Sequence, residues 1–177
     1  MGKIYLYTGN GAGKTTNALG LALRALGHGQ KVLILQFLKW KKDTGEMLFR
    51  HENYRIYQFG REGWKGFKNL TDEDEEMSHD ALTMLEYIVK NWNKKTSTWS
   101  LFHPKLIILD EINLAAHLGL INEDYLFEIV SKFPKDVNFV FTGRHATATL
   151  ISRADFVNKI VEVKAPKEFV CEEGIQW

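Results

Sequence analysis

Cysteine is nearly absent from this chain. Cys171 is the only one in 177 residues, which excludes an intrachain disulfide and any multi-cysteine metal site. It lies near the chain end, far in sequence from any base that would activate it, so no catalytic thiol is expected. An excess of charge of one sign is missing too: 23 Lys and Arg against 22 Asp and Glu leave a formal net charge of +1. Bulk electrostatics therefore gives no reason to expect a nucleic-acid partner. The basic clusters Lys39-Trp40-Lys41-Lys42 and Lys90 to Lys95 read as solvated loops or faces. No apolar run approaches the roughly 20 residues that span a bilayer. Met1-Gly2-Lys3 leads straight into a strand pattern, without a signal peptide. A cytoplasmic protein with no membrane partner is the expectation.

What is present is a phosphate-binding loop. Gly9-Asn10-Gly11-Ala12-Gly13-Lys14-Thr15-Thr16 follows the apolar run Ile4-Tyr5-Leu6-Tyr7 and precedes a helical pattern. Glycines let backbone N–H groups converge on an anion, and the helix adds its positive end. Lys14 supplies a cation for the phosphates, and the Thr15 hydroxyl is placed for magnesium. The usual loop has a glycine, four residues, then Gly-Lys-Thr. Here Thr8 stands at the first-glycine register, and Gly9 to Gly13 encloses only three residues. The anion cradle survives, but ordinary γ-phosphate hydrolysis does not follow from it.

The rest of the chain alternates apolar runs with helical patterns, which predicts βαβ units. The expected fold is α/β, one doubly wound, mostly parallel sheet with helices on both faces, in a single domain over 1–177. Strands are expected at Lys3–Thr8, Val32–Phe37, Tyr54–Phe59, Leu106–Leu109, Val137–Phe141 and Phe156–Val163. The first helix, Lys14 to Leu26, places Ala18, Leu21, Ala22, Ala25 and Leu26 on one face. A second begins with the acidic turn after Thr71, with Met77, Ala81, Leu85, Ile88, Val89 and Trp92 as core. Shorter helices are expected at 112–118, at 123–133 behind Asn122, and at 147–154. Residues 38–52 and 93–103 read as loop and linker.

Two strand ends carry chemistry. Asp110-Glu111 resembles the acidic strand end that partners a phosphate loop and holds magnesium opposite Thr15; Asp110 as the cap of the next helix is the lesser alternative, and both roles can fall on adjacent residues. Thr142-Gly143-Arg144 ends another strand, where Arg144 is either a phosphate ligand or a surface arginine. In a doubly wound sheet, ligands gather at these C-terminal strand ends.

At this point a family comes into view. Thr8-Gly9-Asn10-Gly11 with Gly13-Lys14-Thr15-Thr16, then Ala25-Leu26-Gly27-His28-Gly29 and Val32 to Phe37, resembles the P-loop type of ATP:corrinoid adenosyltransferase. Leu109-Asp110-Glu111-Ile112-Asn113 resembles its acidic motif. Thr142-Gly143-Arg144-His145-Ala146, continuing to Ala154-Asp155, is similar to its C-terminal signature, as are Val163-Lys164 and Glu173-Gly174-Ile175. The resemblance covers nearly the whole chain in order, and the shortened loop is the family's form. It implies transfer of the 5′-deoxyadenosyl group of ATP to Co(I) of a corrinoid, with release of triphosphate, in adenosylcobalamin synthesis or salvage. It implies that residues from Gly9 to Thr16 and Arg144 bind nucleotide, and that Thr15, Glu111 and Asp110 meet Mg²⁺ or Mn²⁺. Lys14, Thr15 and Glu111 are then the catalytic set, the protein a homodimer, and a flavoprotein the reductant. Trp64 and Phe67, in the glycine-rich stretch 60–70, are the corrinoid contacts it suggests, with Trp64 equally readable as a core or dimer residue.

The chain departs from that family in two places. Ala12 stands where a second basic residue is common, which either weakens the phosphate contacts or leaves them to Lys39 or Arg144. Glu62 stands where relatives carry an aromatic. A P-loop kinase or ATPase and a non-catalytic corrinoid carrier remain the alternatives.

Overall fold

The computed structural model describes residues 2–63, 69–94, 98–166, 168 and 172–175. Six strands form one sheet in the order β3-β2-β4-β5-β1-β6, and every neighbouring pair is parallel. They are β1 Ile4–Thr8, β2 Val32–Phe37, β3 Tyr54–Phe59, β4 Leu106–Asp110, β5 Asn138–Thr142 and β6 Phe156–Lys159. The helices are α1 Lys14–Gly27, α2 Gly45–Leu48, α3 Asp72–Lys90, α4 Ile112–His117, α5 Glu123–Ser131 and α6 Ala148–Arg153. The expected doubly wound α/β architecture is the one observed. Among the described residues, no helix is long and apolar enough to cross a membrane.

Strand alternation divides the core in two. Val32, Ile34, Leu106, Ile108 and Val140 face Ala18, Ala22 and Leu26 of α1. Leu33, Leu35, Ile107, Leu109, Phe139 and Phe141 face the opposite way, toward α3, α4 and α5. Period-two side-chain direction explains why central strands with helices on both faces read as unbroken apolar runs. Small residues on α1 let it lie close against its side of the sheet.

The structure also revises element boundaries. Residues 38–52 hold the short helix α2, and the linker 93–103 holds a 3-10 turn, Thr98–Leu101. Trp99 and Phe102 from that linker join the core. Helix α3 stops at Lys90, but Trp92 still packs inward, stacked 4.8 Å from His103 and edge-on to Phe133. The last strand ends at Lys159 and not at Val163, for a reason of register. Lys159 pairs with Thr8, the final residue of β1, so the ladder has no further partner. Beyond it the Ile160 carbonyl accepts from Gly11 N–H at 3.0 Å and supports the phosphate loop instead.

Candidate active site

The strand order places β1, β4 and β5 side by side, so their C-terminal ends meet in one corner. The phosphate loop leaves β1 there and enters α1. Gly9 and Gly13 take φ of 104° and 103°, which other residues rarely adopt. A Cβ on Gly9 would lie 2.2 Å from the Ile160 carbonyl oxygen. Gly9→Ala should therefore lower stability by more than about 1 kcal/mol and weaken ATP binding with it. Thermal melting and calorimetry check this; wild-type values in both would show that the loop tolerates a side chain. Thr8, at the usual glycine's register, contributes through its side chain. Its hydroxyl accepts from Ala146 N–H at 3.2 Å and braces the turn after β5.

Lys14 folds over the loop, its ammonium donating to the Gly11 carbonyl at 2.7 Å. It is only 6% exposed. Burial holds its pKa below the ordinary lysine value, with Arg144 pushing the same way and the charges of Glu111 and Asp110 opposing. No acidic residue occupies the first turn of α1, so the helix's positive end is left uncompensated. Such a site attracts a polyanion.

Asp110 is the hub of the corner. Its Oδ1 accepts from Thr15 Oγ1 at 2.8 Å and from Thr142 Oγ1 at 2.5 Å. Its Oδ2 accepts from Lys39 Nζ at 2.7 Å and Gln36 Nε2 at 3.0 Å. Burial alone would raise this carboxyl pKa, but the Lys39 charge and the bonds from Lys39, Thr142 and Thr15 outweigh it and hold the group ionised. The helix-cap alternative is set aside by this geometry: the Asp110 side chain turns to β2, β5 and α1. Glu111, at φ 63°, takes the cap position of α4 without a side-chain cap bond. Burial raises its pKa, the Asp110 charge adds to the rise, and Lys39, Lys14 and Arg144 pull it back.

The turn Thr142-Gly143-Arg144 closes the corner. Asn113 donates its amide to the Tyr7 carbonyl at 3.1 Å and the Gly143 carbonyl at 3.2 Å, tying β1 to β5. Arg144 is exposed at the rim, its charge felt by both Lys14 and Glu111. Lys14, Thr15, Asp110, Glu111 and Arg144 are thus brought together at the mouth of the Gly9–Thr16 loop. Trp64 and Phe67 lie outside the described residues.

Two features of the corner exceed what the sequence pattern suggests. Lys39, read from sequence as part of a solvated basic cluster or as a phosphate contact, is drawn instead onto Asp110 and Thr15, because Leu38 turns at φ 57° and directs the chain inward. Gln36 is the single polar residue in an otherwise apolar buried strand, and that oddity is its signal. The carboxylates and hydroxyl gathered here are hard oxygen donors, the set magnesium takes. Thr15 and Glu111 fit that role most simply, since Asp110 already serves four protein donors.

A family model described as ATP:corrinoid adenosyltransferase BtuR/CobO/CobP matches residues 1–177. The chain belongs to this adenosyltransferase family. It is 32% identical to a corrinoid adenosyltransferase of Pseudomonas aeruginosa, over 92% of this chain and 76% of that one. A corrinoid adenosyltransferase from Sinorhizobium is 30% identical, covering 99% and 80% of the two chains. Corrinoid adenosyltransferase CobA of Salmonella typhimurium is 27% identical over 92% and 78%. Among the adenosyltransferases, the phosphate-loop branch is the one whose signature this corner displays.

Proposed function

We propose that the protein transfers the 5′-deoxyadenosyl group of ATP to the Co(I) centre of a corrinoid and releases inorganic triphosphate, in adenosylcobalamin synthesis or salvage. The observation that carries this reading is the family match along residues 1–177, supported by a short phosphate loop facing paired carboxylates. The cobalt electron pair attacks ribose C5′, the C5′–O bond breaks, and the triphosphate departs with that bond's electrons. Reduced cobalt brings its own nucleophilicity, so the protein needs no Ser, Cys or His nucleophile. What the protein must do is align C5′ with cobalt and stabilise charge growing on the phosphates.

The residues divide this work among them. Backbone N–H groups from Gly9 to Thr16 and the α1 terminus cradle the phosphates, with Lys14 as the mobile cation. Arg144 meets them from the rim. Thr15 and Glu111 would hold a magnesium or manganese ion, with Asp110 fixing the Thr15 hydroxyl. Such an ion supplies neutralising charge on the phosphate oxygens. Trp64 and Phe67 are our candidates for the corrinoid face. A homodimer in the cytoplasm served by a flavoprotein reductant completes the reading.

The test is product identity. Incubation with ATP, Mg²⁺ and chemically reduced cobalamin should bleach the Co(I) spectrum, form a cobalt–carbon bond and yield triphosphate. ADP without a cobalt–carbon bond would return the kinase or ATPase reading. Tight corrinoid binding without turnover would return the carrier.

A further inference from the structure

Lys39 stands outside the phosphate loop, yet its ammonium reaches the centre of the corner. It lies 2.7 Å from Asp110 Oδ2 and 3.3 Å from Thr15 Oγ1. Those two groups are the ones between which P-loop proteins ordinarily place magnesium. We propose that Lys39 is a resident cation that holds the metal's place in the nucleotide-free protein and passes to the triphosphate when metal and nucleotide arrive.

The position is built in. Leu38 is 4% exposed and held at φ 57°, an uncommon conformation for a bulky residue that only its surroundings can enforce. Its N–H donates to the Phe59 carbonyl at 2.8 Å. The residue after Phe59, Gly60, leaves room for the turn: a Cβ there would lie 2.4 Å from Lys39 N and 2.5 Å from Leu38 C. Two strand ends thus cooperate to send one lysine inward.

Charge explains why the lysine rests there and why it would leave. The Asp110 side chain is 1% exposed, and Gln36, Thr15 and Thr142 give it hydrogen bonds but no positive charge. Lys39 supplies that charge at 2.7 Å. A divalent cation entering between Thr15 and the carboxylates would repel an ammonium at the same spot. The phosphates arriving with it offer fresh oxygens close by, and a lysine head on a flexible stem can follow them. Ala12 leaves the loop with Lys14 as its only basic side chain, so a second phosphate cation has to come from elsewhere.

The inference rests on the proposed function only for the identity of the nucleotide. Its test uses binding and not turnover. Lys39→Gln keeps a donor for Asp110 but removes the charge, whereas Lys39→Arg keeps the charge. Mn²⁺ is titrated into nucleotide-free protein by electron paramagnetic resonance, and Mg·ATP affinity is measured by calorimetry. Lys39→Gln should gain about tenfold in Mn²⁺ affinity and lose about tenfold in Mg·ATP affinity, with Lys39→Arg within about threefold of wild type for ATP. Unchanged Mn²⁺ affinity in Lys39→Gln would overturn the place-holding role, and unchanged ATP affinity the transfer to phosphate.

If Lys39→Gln does not fold, Asp110→Asn is compared with Asp110→Asn/Lys39→Gln, the double variant removing both members of the ion pair. The same loss of ATP affinity is expected, and equal affinities overturn the proposal. Failure of the wild type to form a cobalt–carbon bond would sink the functional reading while leaving these binding results interpretable.

Discussion

Lys14→Ala removes most adenosyl transfer, about 10²–10³-fold in kcat/KM, the scale of losing one preorganised donor to a developing anion. It does so without lowering the melting temperature. Both halves follow from the same geometry. The Lys14 ammonium is almost fully buried and, among the described residues, donates to the Gly11 carbonyl. Burial disfavours its charged form, which is why its pKa falls below the ordinary value. The folded protein thus carries this charge at a cost, and the triphosphate is what makes the position favourable. Removing it relieves the empty protein and cripples the loaded one, the trade between stability and activity expected of a functional charge. Product release and melting curves on the same preparation check the pair of outcomes. Wild-type turnover would show that the phosphates sit elsewhere; a large drop in melting temperature would show that Lys14 is structural.

Much of this corner is legible in the sequence because each part carries its own local signal. The loop glycines, the Lys-Thr pair and the apolar run before them identify a phosphate site without tertiary information. Asp110 is legible as a strand-end carboxylate, but its partners are not. Thr142 and Lys39 lie 32 and 71 residues away from it and reach it only through the sheet order. Lys39 is obscured by its neighbours, since Trp40, Lys41 and Lys42 make the stretch look like a solvated loop. The Leu38 backbone turn that directs it inward leaves no mark in periodicity. Helix α2 is four residues long and offers no amphipathic repeat to detect. Alternation continues through Val161 and Val163 and so predicts a longer β6, whereas the strand stops where β1 turns into Gly9. Termination there belongs to the neighbouring strand and not to the segment itself.

Asp110→Ala should cost about 3 kcal/mol of stability, the low end for breaking a buried ion pair because Lys39 is partly open to water. For a domain of this size that is roughly 6–12 °C in melting temperature. Four donors converge on the carboxylate, and alanine leaves all four facing a void, one of them a charged ammonium. Asp110→Asn separates the contributions, since it keeps acceptor capacity on one atom and removes the charge. It should be milder near neutral pH and should also flatten the acid limb of the stability curve. The sign follows from the carboxyl's depressed pKa in the folded protein. Its stabilisation is complete above the unfolded value of about 3.9 and disappears as pH falls through the lower folded value. Wild type should therefore lose stability below about pH 4 more steeply than Asp110→Asn. Denaturant melts of the three proteins at pH 3 and pH 7 check this; parallel acid limbs would mean that Asp110 is not the charge on which the corner is assembled.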